Sequence, residues 1–171
     1  MNLMEFIPDV PDFPIEGVLF KDITPLLSSP DAFREAVDLI VAEFEDKEIA
    51  QVVAIESRGF IFGAPVAYQL GCGFVPIRKP EKLPREKISV EYSLEYGTNI
   101  LEMHADAIGS GENVLLVDDL LATGGSAEAA VALIERLGGK VTGIAFLIEL
   151  AFLRGREKLK NYDIFSIMTF E

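Results

Sequence analysis

A glycine-containing turn behind two acidic residues is the part of the sequence whose residue types and spacing most directly suggest chemistry. Asp118 and Asp119 follow the apolar run 113–117, and the turn comprises Ala122, Thr123, Gly124, Gly125 and Ser126. Glycines let the backbone approach a ligand closely, and the free N–H groups and dipole at a helix N-terminus attract a phosphate. The Thr123 and Ser126 hydroxyls can donate further hydrogen bonds. This segment therefore predicts a phosphate site.

The two aspartates call for a different partner, because like charges keep a carboxylate away from a phosphate. Asp118 and Asp119 suit the hydroxyl groups of a sugar, so the pattern predicts a sugar phosphate as ligand. The segment lacks both the lysine of a Walker A loop and the spacing of a dinucleotide fingerprint. The alternative is an ordinary strand–turn–helix connection with a capping aspartate.

A basic cluster occurs at residues 78–87, although the chain as a whole carries 15 basic and 28 acidic residues and a net charge of −13. The basic members are Arg78, Lys79, Lys82, Arg85 and Lys87. Arginine forks and lysine point charges suit a highly charged leaving group such as a diphosphate. The segment therefore predicts a clamp for an anion, and a solvated loop is the alternative.

Composition limits the remaining possibilities. A length of 171 residues fits one domain, residues 1–171. The acidic balance argues against a nucleic-acid partner, and no apolar run approaches the ~20 residues of a membrane span. The single cysteine, Cys72, cannot form an intramolecular disulfide, which favours a reducing cytoplasm. His104 is the only histidine, and no Cys/His/Asp set has metal-binding spacing.

The elements that must position these groups alternate along the chain. Apolar runs predict strands at 51–55, 73–77, 98–104, 113–117, 141–148 and 163–170. A serine cap followed by Pro30 begins one predicted helix, with Phe33, Val37, Ile40 and Phe44 along one face. Further helices are predicted at 59–70 and 125–137. Alternating β and α segments with apolar strands indicate a parallel sheet covered on both faces. The polar segment 78–98 is predicted to be a long loop or hairpin outside the core.

The turn motif resembles the signature of the type I phosphoribosyltransferases, and the similarity extends from about Asp12 to Glu171. Within that family it is greatest to members that act on adenine, through segments 13–14, 17–23, 56–60, 77–80, 82–84 and 92–97. The resemblance implies an α/β fold with a mostly parallel, twisted, Rossmann-like sheet flanked by helices. It also implies a small N-terminal base-binding hood (about 12–23) and a flexible flap (about 79–97).

The implied reaction belongs to purine salvage. The phosphoribosyl group passes from 5-phosphoribosyl 1-diphosphate to adenine, giving AMP and diphosphate. The Mg²⁺ would arrive on the substrate's diphosphate and need no protein side-chain ligands. A homodimer is implied, with some basic flap residues reaching the diphosphate across its interface. The alternatives are transfer to another base, a non-catalytic regulator that senses the same sugar diphosphate, or a phospho-acceptor receiver domain.

The resemblance also implies roles for individual residues around the sugar diphosphate. Residues 122–126 would hold its 5′-phosphate, and Asp118 and Asp119 its ribose hydroxyls. The diphosphate would be bound by Arg58, Arg78, Lys79 and Lys82. Arg58 is also expected to assist catalysis, and a non-proline cis peptide is expected at Ser57–Arg58.

Further roles are implied around the base. Glu95 is expected to act as the acid/base group near the purine nitrogens. Backbone groups of Leu19 and Lys21 would read the adenine edge, with Phe20 and Leu150 on the two ring faces. Lys21 departs from the family pattern, where arginine is common, and lysine lacks the bidentate fork.

Overall fold

The computed structural model describes residues 1–94 and 96–171 and contains the predicted alternation of strands and helices. The strands are β1 (Asp9–Pro11), β2 (Leu19–Lys21), β3 (Gln51–Ile55), β4 (Gly73–Ile77), β5 (Lys87–Leu94), β6 (Gly97–His104), β7 (Asn113–Leu121), β8 (Lys140–Leu150) and β9 (Ile164–Phe170). The helices are α1 (Thr24–Ser28), α2 (Pro30–Phe44), α3 (Arg58–Leu70) and α4 (Gly125–Arg136). Short 3₁₀ turns cover Leu3–Phe6, Glu45–Lys47, Ala151–Leu153 and Gly155–Leu159.

The central sheet has five parallel strands in the order β4-β3-β7-β8-β9. The chain leaves β3 through α3 toward one edge, and it leaves β7 through α4 toward the other. The order therefore reverses between β3 and β7. In open parallel sheets, ligands bind beyond the carboxyl ends of the strands at such a switch point.

Helices cover both faces of the sheet, which confirms the predicted fold class. A first core lies under α2 and α3 and includes Val52 and Leu115, while a second lies under α4 and includes Val53 and Leu116. Because successive strand residues point to opposite faces, a sheet covered on both sides needs unbroken apolar strands. The fully buried side chain of Phe44 in the first core illustrates the gain, about 1.5–3 kcal/mol relative to exposure.

Local signals set the ends of two helices as predicted. The Ser29 hydroxyl accepts a hydrogen bond from the Ala32 amide at 3.3 Å, and Pro30 occupies the first helical position of α2. α3 ends at Gly71, which adopts a left-handed φ of 69° that glycine tolerates without a Cβ penalty.

The polar segment after β4 forms an antiparallel hairpin, β5–β6, with register from Lys87–His104 to Leu94–Gly97. The prediction that residues 78–98 lie outside the core was wrong for the inner face of β5, where Ile88, Val90 and Tyr92 pack against the second core. Leu101 and Met103 of β6, which was predicted as a strand, are buried in that core. The alternation of apolar and polar residues in β5 is typical of a half-buried strand, and charged neighbours obscured it. The tip of the hairpin remains at the surface.

The segment 12–23, predicted as the hood, contains β2, which pairs in antiparallel register with β1 just before that segment. The Phe13 ring meets the Phe20 ring edge-on with 5.0 Å between centroids, so the two strands and their connection pack on one another. Among the described residues, no helix is long and apolar enough to cross a membrane.

Candidate active site

A cavity of about 590 Å³ opens beyond the carboxyl ends of β3 and β7, at the switch point of the sheet. Residues after β3, residues at the end of β7, the start of α4 and the hairpin together form its wall. Of the residues singled out in the sequence, the cavity brings together Arg58, Lys79, Asp118, Asp119, Ala122, Thr123, Gly124, Gly125 and Ser126. Six other residues singled out in the sequence are not part of the cavity wall: Arg78, Lys82, Leu19, Phe20, Lys21 and Leu150.

The glycine-containing turn forms the N-terminal end of α4. Gly124 immediately precedes the helix with a φ of +89°, and no side chain caps the first helical amides. A Cβ on Gly124 would also lie 2.7 Å from the carbonyl oxygen of Gly155, so both backbone conformation and space require glycine. The uncapped amides are left to bind an anion, and the helix dipole favours one there.

The two aspartates belong to the end of β7 itself. The sequence predicted a strand that ends at residue 117, but pairing with β8 continues through Asp118 and Leu120 to Leu121. Aspartate has a low propensity for strands in general, but the hydrogen-bonded pairing with β8 outweighs that low propensity here. The correction matters for the site, because it places both carboxylates on the rigid sheet.

Arg58 links the two sides of the switch point. Its Nε lies 2.9 Å from Oδ2 of Asp119, whose side chain is only 8% exposed. The Asp119 amide donates to Oδ1 of Asp118 at 2.8 Å. Burial raises the pKa of Asp118 well above its ordinary value, and the negative charge of Asp119 raises it further. The cavity thus holds an arginine-paired carboxylate beside one that resists ionisation.

Glu56, directly after β3, contacts three residues of the basic cluster, and sequence reasoning gave it no individual role. Its carboxylate accepts from the Lys79 amide at 2.6 Å and from Lys82 Nζ at 2.9 Å. Arg78 Nε lies 3.4 Å away. Desolvation raises the pKa of Glu56, but these hydrogen bonds and charges outweigh it and the pKa is lowered. Glu56 is therefore ionised and holds the cations beside the cavity.

The predicted position of the non-proline cis peptide was wrong by one bond. The cis bond joins Glu56 to Ser57, whereas the expectation was Ser57–Arg58. Ser57 already has helical backbone angles as the cap of α3, and Arg58 is the first helical residue. The bond between them therefore has the trans geometry of a helix start.

The hood contacts the cavity wall where Phe20 of β2 lies against Arg58. The centre of its guanidinium lies 5.6 Å from the centroid of the Phe20 ring, and the two together connect β2 to the site. The Lys21 ammonium lies 2.5 Å from Asp9 and 4.0 Å from the ring centroid of Phe170. The Lys21 side chain is thus held by neighbours, while its backbone lies in β2 beside Leu19.

Two further predicted residues have different outcomes. Leu150 is the last residue of β8, paired with Phe170 of β9 and packed against the first core. Glu95 lies outside the described residues. Within the described part of the chain, no three His, Cys, Asp or Glu residues are grouped closely enough to hold a metal ion.

The cavity wall also includes Tyr92, Asn99 and Lys158, to which sequence reasoning gave no individual roles. Tyr92 and Asn99 face each other across the hairpin, with 3.5 Å between the amide nitrogen and the phenol oxygen. Lys158 lies in the 3₁₀ turn after β8. Its sequence neighbourhood contains other charged residues, so composition alone would not have separated it from a solvated surface.

The cavity brings together groups of the kinds that a phosphorylated sugar would require: uncapped helix amides, two aspartates and basic residues. Residues 22–170 match the family model described as a phosphoribosyl transferase domain. The chain belongs to the phosphoribosyltransferase family.

Individual relatives narrow the comparison. The adenine phosphoribosyltransferase of Maridesulfovibrio salexigens is 56% identical over 168 residues, which cover 98% of this chain and 99% of that protein. The structure of the adenine phosphoribosyltransferase from Thermoanaerobacter pseudethanolicus has a TM-score of 0.95 and 52% identity, with 98% of each chain covered. The Saccharomyces cerevisiae enzyme, solved with adenine and an imino-altritol bisphosphate, has a TM-score of 0.92 and 42% identity over 96% of each chain.

Proposed function

We propose that this protein transfers the phosphoribosyl group of 5-phosphoribosyl 1-diphosphate to adenine, giving AMP and diphosphate in purine salvage. The observation that carries the proposal is the single cavity in which the phosphate loop 122–126, the β7 aspartates and Arg58 meet. Adenine as acceptor is supported by relatives of that specificity, such as those of Maridesulfovibrio salexigens and Roseiflexus, which are 56% and 54% identical over at least 98% of both chains.

The sugar phosphate is assigned to the β7 side of the cavity. The uncapped amides of α4 and the Thr123 and Ser126 hydroxyls bind the 5′-phosphate. Asp118 and Asp119 face the ribose hydroxyls, and Arg58 holds Asp119 in place. A carboxylate fixed on a strand positions the sugar with little loss of entropy in the bound state, which favours reaction at its C1 atom.

The diphosphate is assigned to the β3 side. Arg58 and Lys79 line the cavity there, while Arg78 and Lys82 are held next to it by Glu56. As the C1–O bond breaks, negative charge grows on the departing diphosphate, and these cations stabilise it. A Mg²⁺ ion carried by the substrate would neutralise part of the charge of the diphosphate and would need no protein side-chain ligands. The hard oxygens of the carboxylates nearby are compatible with that ion.

Adenine is assigned to the space between the hood and the cavity. Backbone groups of Leu19 and Lys21 read its edge, and Phe20 and Leu150 contact its faces. Because Asp9 and Phe170 hold the Lys21 side chain, only its backbone is assigned to the base. N9 of adenine forms the new bond to C1, and its proton passes to Glu95.

We also propose that the protein forms homodimers in the cytoplasm. Large apolar side chains remain exposed, among them Ile15 (66%), Tyr68 (87%) and Phe152 (61%), and a subunit interface would cover such groups. A single cysteine, Cys72, is compatible with a reducing compartment. Light scattering coupled to gel filtration tests the dimer, and a monomer at micromolar concentration would contradict it.

The reaction is tested by mixing the purified protein with 5-phosphoribosyl 1-diphosphate, Mg²⁺ and one base at a time: adenine, hypoxanthine, guanine or orotate. Nucleotide and released diphosphate are measured, and a chelator of Mg²⁺ serves as control. AMP formed from adenine alone, and lost with the chelator, is the expected result. Turnover with another base only would overturn the assignments of Leu19, Phe20 and Lys21. Binding of 5-phosphoribosyl 1-diphosphate without turnover would favour the alternative function, a non-catalytic regulator that senses this compound.

A further inference from the structure

The 3₁₀ turn Gly155–Leu159 lies directly behind the phosphate loop. Leu159 is fully buried in the second core, and Gly155 is buried against the loop. A Cβ on Gly155 would lie 2.5 Å from the carbonyl oxygen of Ala122, and one on Gly124 would lie 2.7 Å from that of Gly155. The turn and the loop therefore touch backbone to backbone, and no side chain separates them.

This contact places Lys158 beside the phosphate loop. Residues three apart in a 3₁₀ helix are eclipsed, so Lys158 projects from the same side of the turn as Gly155. Lys158 is part of the cavity wall together with residues 122–126. Within residues 1–94 and 96–171, no carboxylate oxygen lies within 4.0 Å of its ammonium, whereas Arg58 and Lys82 each have one.

An ion pair between Arg156 and the buried carboxylate of Glu149 fixes the turn in this position. Arg156 binds Glu149 with both arms, through Nε to Oε1 at 2.6 Å and Nη2 to Oε2 at 2.8 Å. The Ser166 hydroxyl donates to Glu149 Oε2 at 2.6 Å. Glu149 is buried on β8, so its bidentate contact with the Arg156 guanidinium fixes the turn to the sheet. Lys158 is consequently presented from a rigid segment.

The charge balance of the phosphate side favours an additional cation there. The loop 122–126 contains no basic residue, and the two aspartates that precede it are acidic. Arg58 is engaged with Asp119, and Lys82 with Glu56. A phosphate dianion placed on the loop would therefore face carboxylates with only amides, hydroxyls and the helix dipole in its favour.

We propose that Lys158 is a ligand of the 5′-phosphate, with Glu149 and Arg156 as the positioning residues that hold its turn. The assignment rests on the proposed function and adds a residue to its phosphate subsite. An ammonium at this point donates a charge-assisted hydrogen bond to the phosphate and offsets the negative charge of Asp119.

The test compares Lys158→Met with Lys160→Met, which removes the same charge from an exposed position two residues further along. Steady-state kinetics give KM for each substrate, and calorimetry gives Kd for ribose 5-phosphate and for Mg²⁺-diphosphate separately. Lys158→Met is expected to raise both the Kd for ribose 5-phosphate and the KM for 5-phosphoribosyl 1-diphosphate by about 10-fold. KM for adenine and Kd for diphosphate change less than twofold, and Lys158→Arg restores most of the affinity.

Lys160→Met is expected to match the wild type in every measurement. Equal ribose 5-phosphate affinity in the two methionine variants would overturn the assignment, as would a selective loss of diphosphate binding in Lys158→Met. Failure of the proposed function is distinguishable, since the wild type itself would then form no AMP. Circular dichroism melts identify any variant that is misfolded, and the arginine variant then decides the question.

Discussion

Replacing Gly155 by alanine is expected to push the 155–159 turn and the phosphate loop apart. The added Cβ would lie 2.5 Å from the carbonyl oxygen of Ala122 and 2.8 Å from Cδ1 of Leu121. Real Cβ atoms rarely approach another atom within 3.0 Å, and ordinary contact begins at 3.4 Å. The turn and the loop must therefore separate by about 0.5–1 Å, because the nearest atom is backbone and cannot rotate away.

The expected size of the effect follows from this geometry. Overpacking of a close contact typically costs about 1–3 kcal/mol in the free energy of unfolding. For a chain of this length, the melting temperature falls by roughly 3–10 °C. A displacement of the phosphate loop by up to ~1 Å also misplaces the sugar, so kcat/KM for 5-phosphoribosyl 1-diphosphate is expected to fall by about 10–100-fold.

Thermal unfolding and steady-state kinetics measure the two effects, and Gly73→Ala is the matched control. The Cβ at Gly73 would come within 2.2 Å of the Gln51 side-chain oxygen, but that amide ends a flexible side chain and can move. The control is therefore expected to retain the melting temperature within ~1 °C. If Gly155→Ala were as stable and active as Gly73→Ala, the backbone contact between turn and loop would not exist, and the placement of Lys158 would lose its basis.

Three further predictions concern titratable groups. Burial and an adjacent charge raise the pKa of Asp118, so the contribution of this one group to stability is full below the ordinary value of 3.8 and is lost as pH rises through the folded pKa. Asp118→Asn is thus expected to be about 1–2 kcal/mol more stable than the wild type at pH 8 but at least 10-fold less active, and urea unfolding that shows no pH-dependent gap would contradict this. Desolvation raises the pKa of Glu149, but its hydrogen bonds with Arg156 outweigh that and lower it, so the stability it supplies is present above 4.5 and lost in acid. Glu149→Gln is expected to cost about 1–3 kcal/mol at pH 7 and little at pH 3, and an equal cost at both pH values would refute the ionic contribution. A hydrogen bond to Glu135 raises the pKa of Tyr162 to about 12, so its contribution holds below pH 10 and fades toward 12. Tyr162→Phe is expected to be about 1 kcal/mol less stable than the wild type at pH 8, with a gap that narrows by pH 11 and that urea unfolding would detect.

Much of the fold was predictable because the signals are local. The serine cap and Pro30 begin α2, and Gly71 ends α3, since each depends only on neighbouring backbone. The apolar runs of β3 and β7 require burial on both faces, so they imply a parallel sheet wherever they pair. The glycine-containing turn 122–126 was recognisable as a candidate phosphate site for the same reason, because its glycines and hydroxyls lie close together in sequence, just after the two acids.

Features that depend on long-range pairing were missed or misplaced. The acids of β7 were predicted to follow the strand, but the ladder to β8 carries the strand past them to Leu121. Residues 78–98 were predicted to lie outside the core, but Ile88 and Val90 of β5 pack against the second core. In both cases a neighbouring element supplies the partner that the local sequence does not contain.

The sequence by itself determined which residues are candidates to bind a phosphate, a sugar and a diphosphate, because that candidacy rests on side-chain chemistry and local backbone form. Only the tertiary structure decided which of them share a cavity. The strand order places β3 beside β7, so Arg58 meets Asp119, and the return of the chain after β8 brings Lys158 to the phosphate loop. Contacts between residues so far apart in sequence depend on how the strands are ordered and where each turn packs, and no local pattern encodes them.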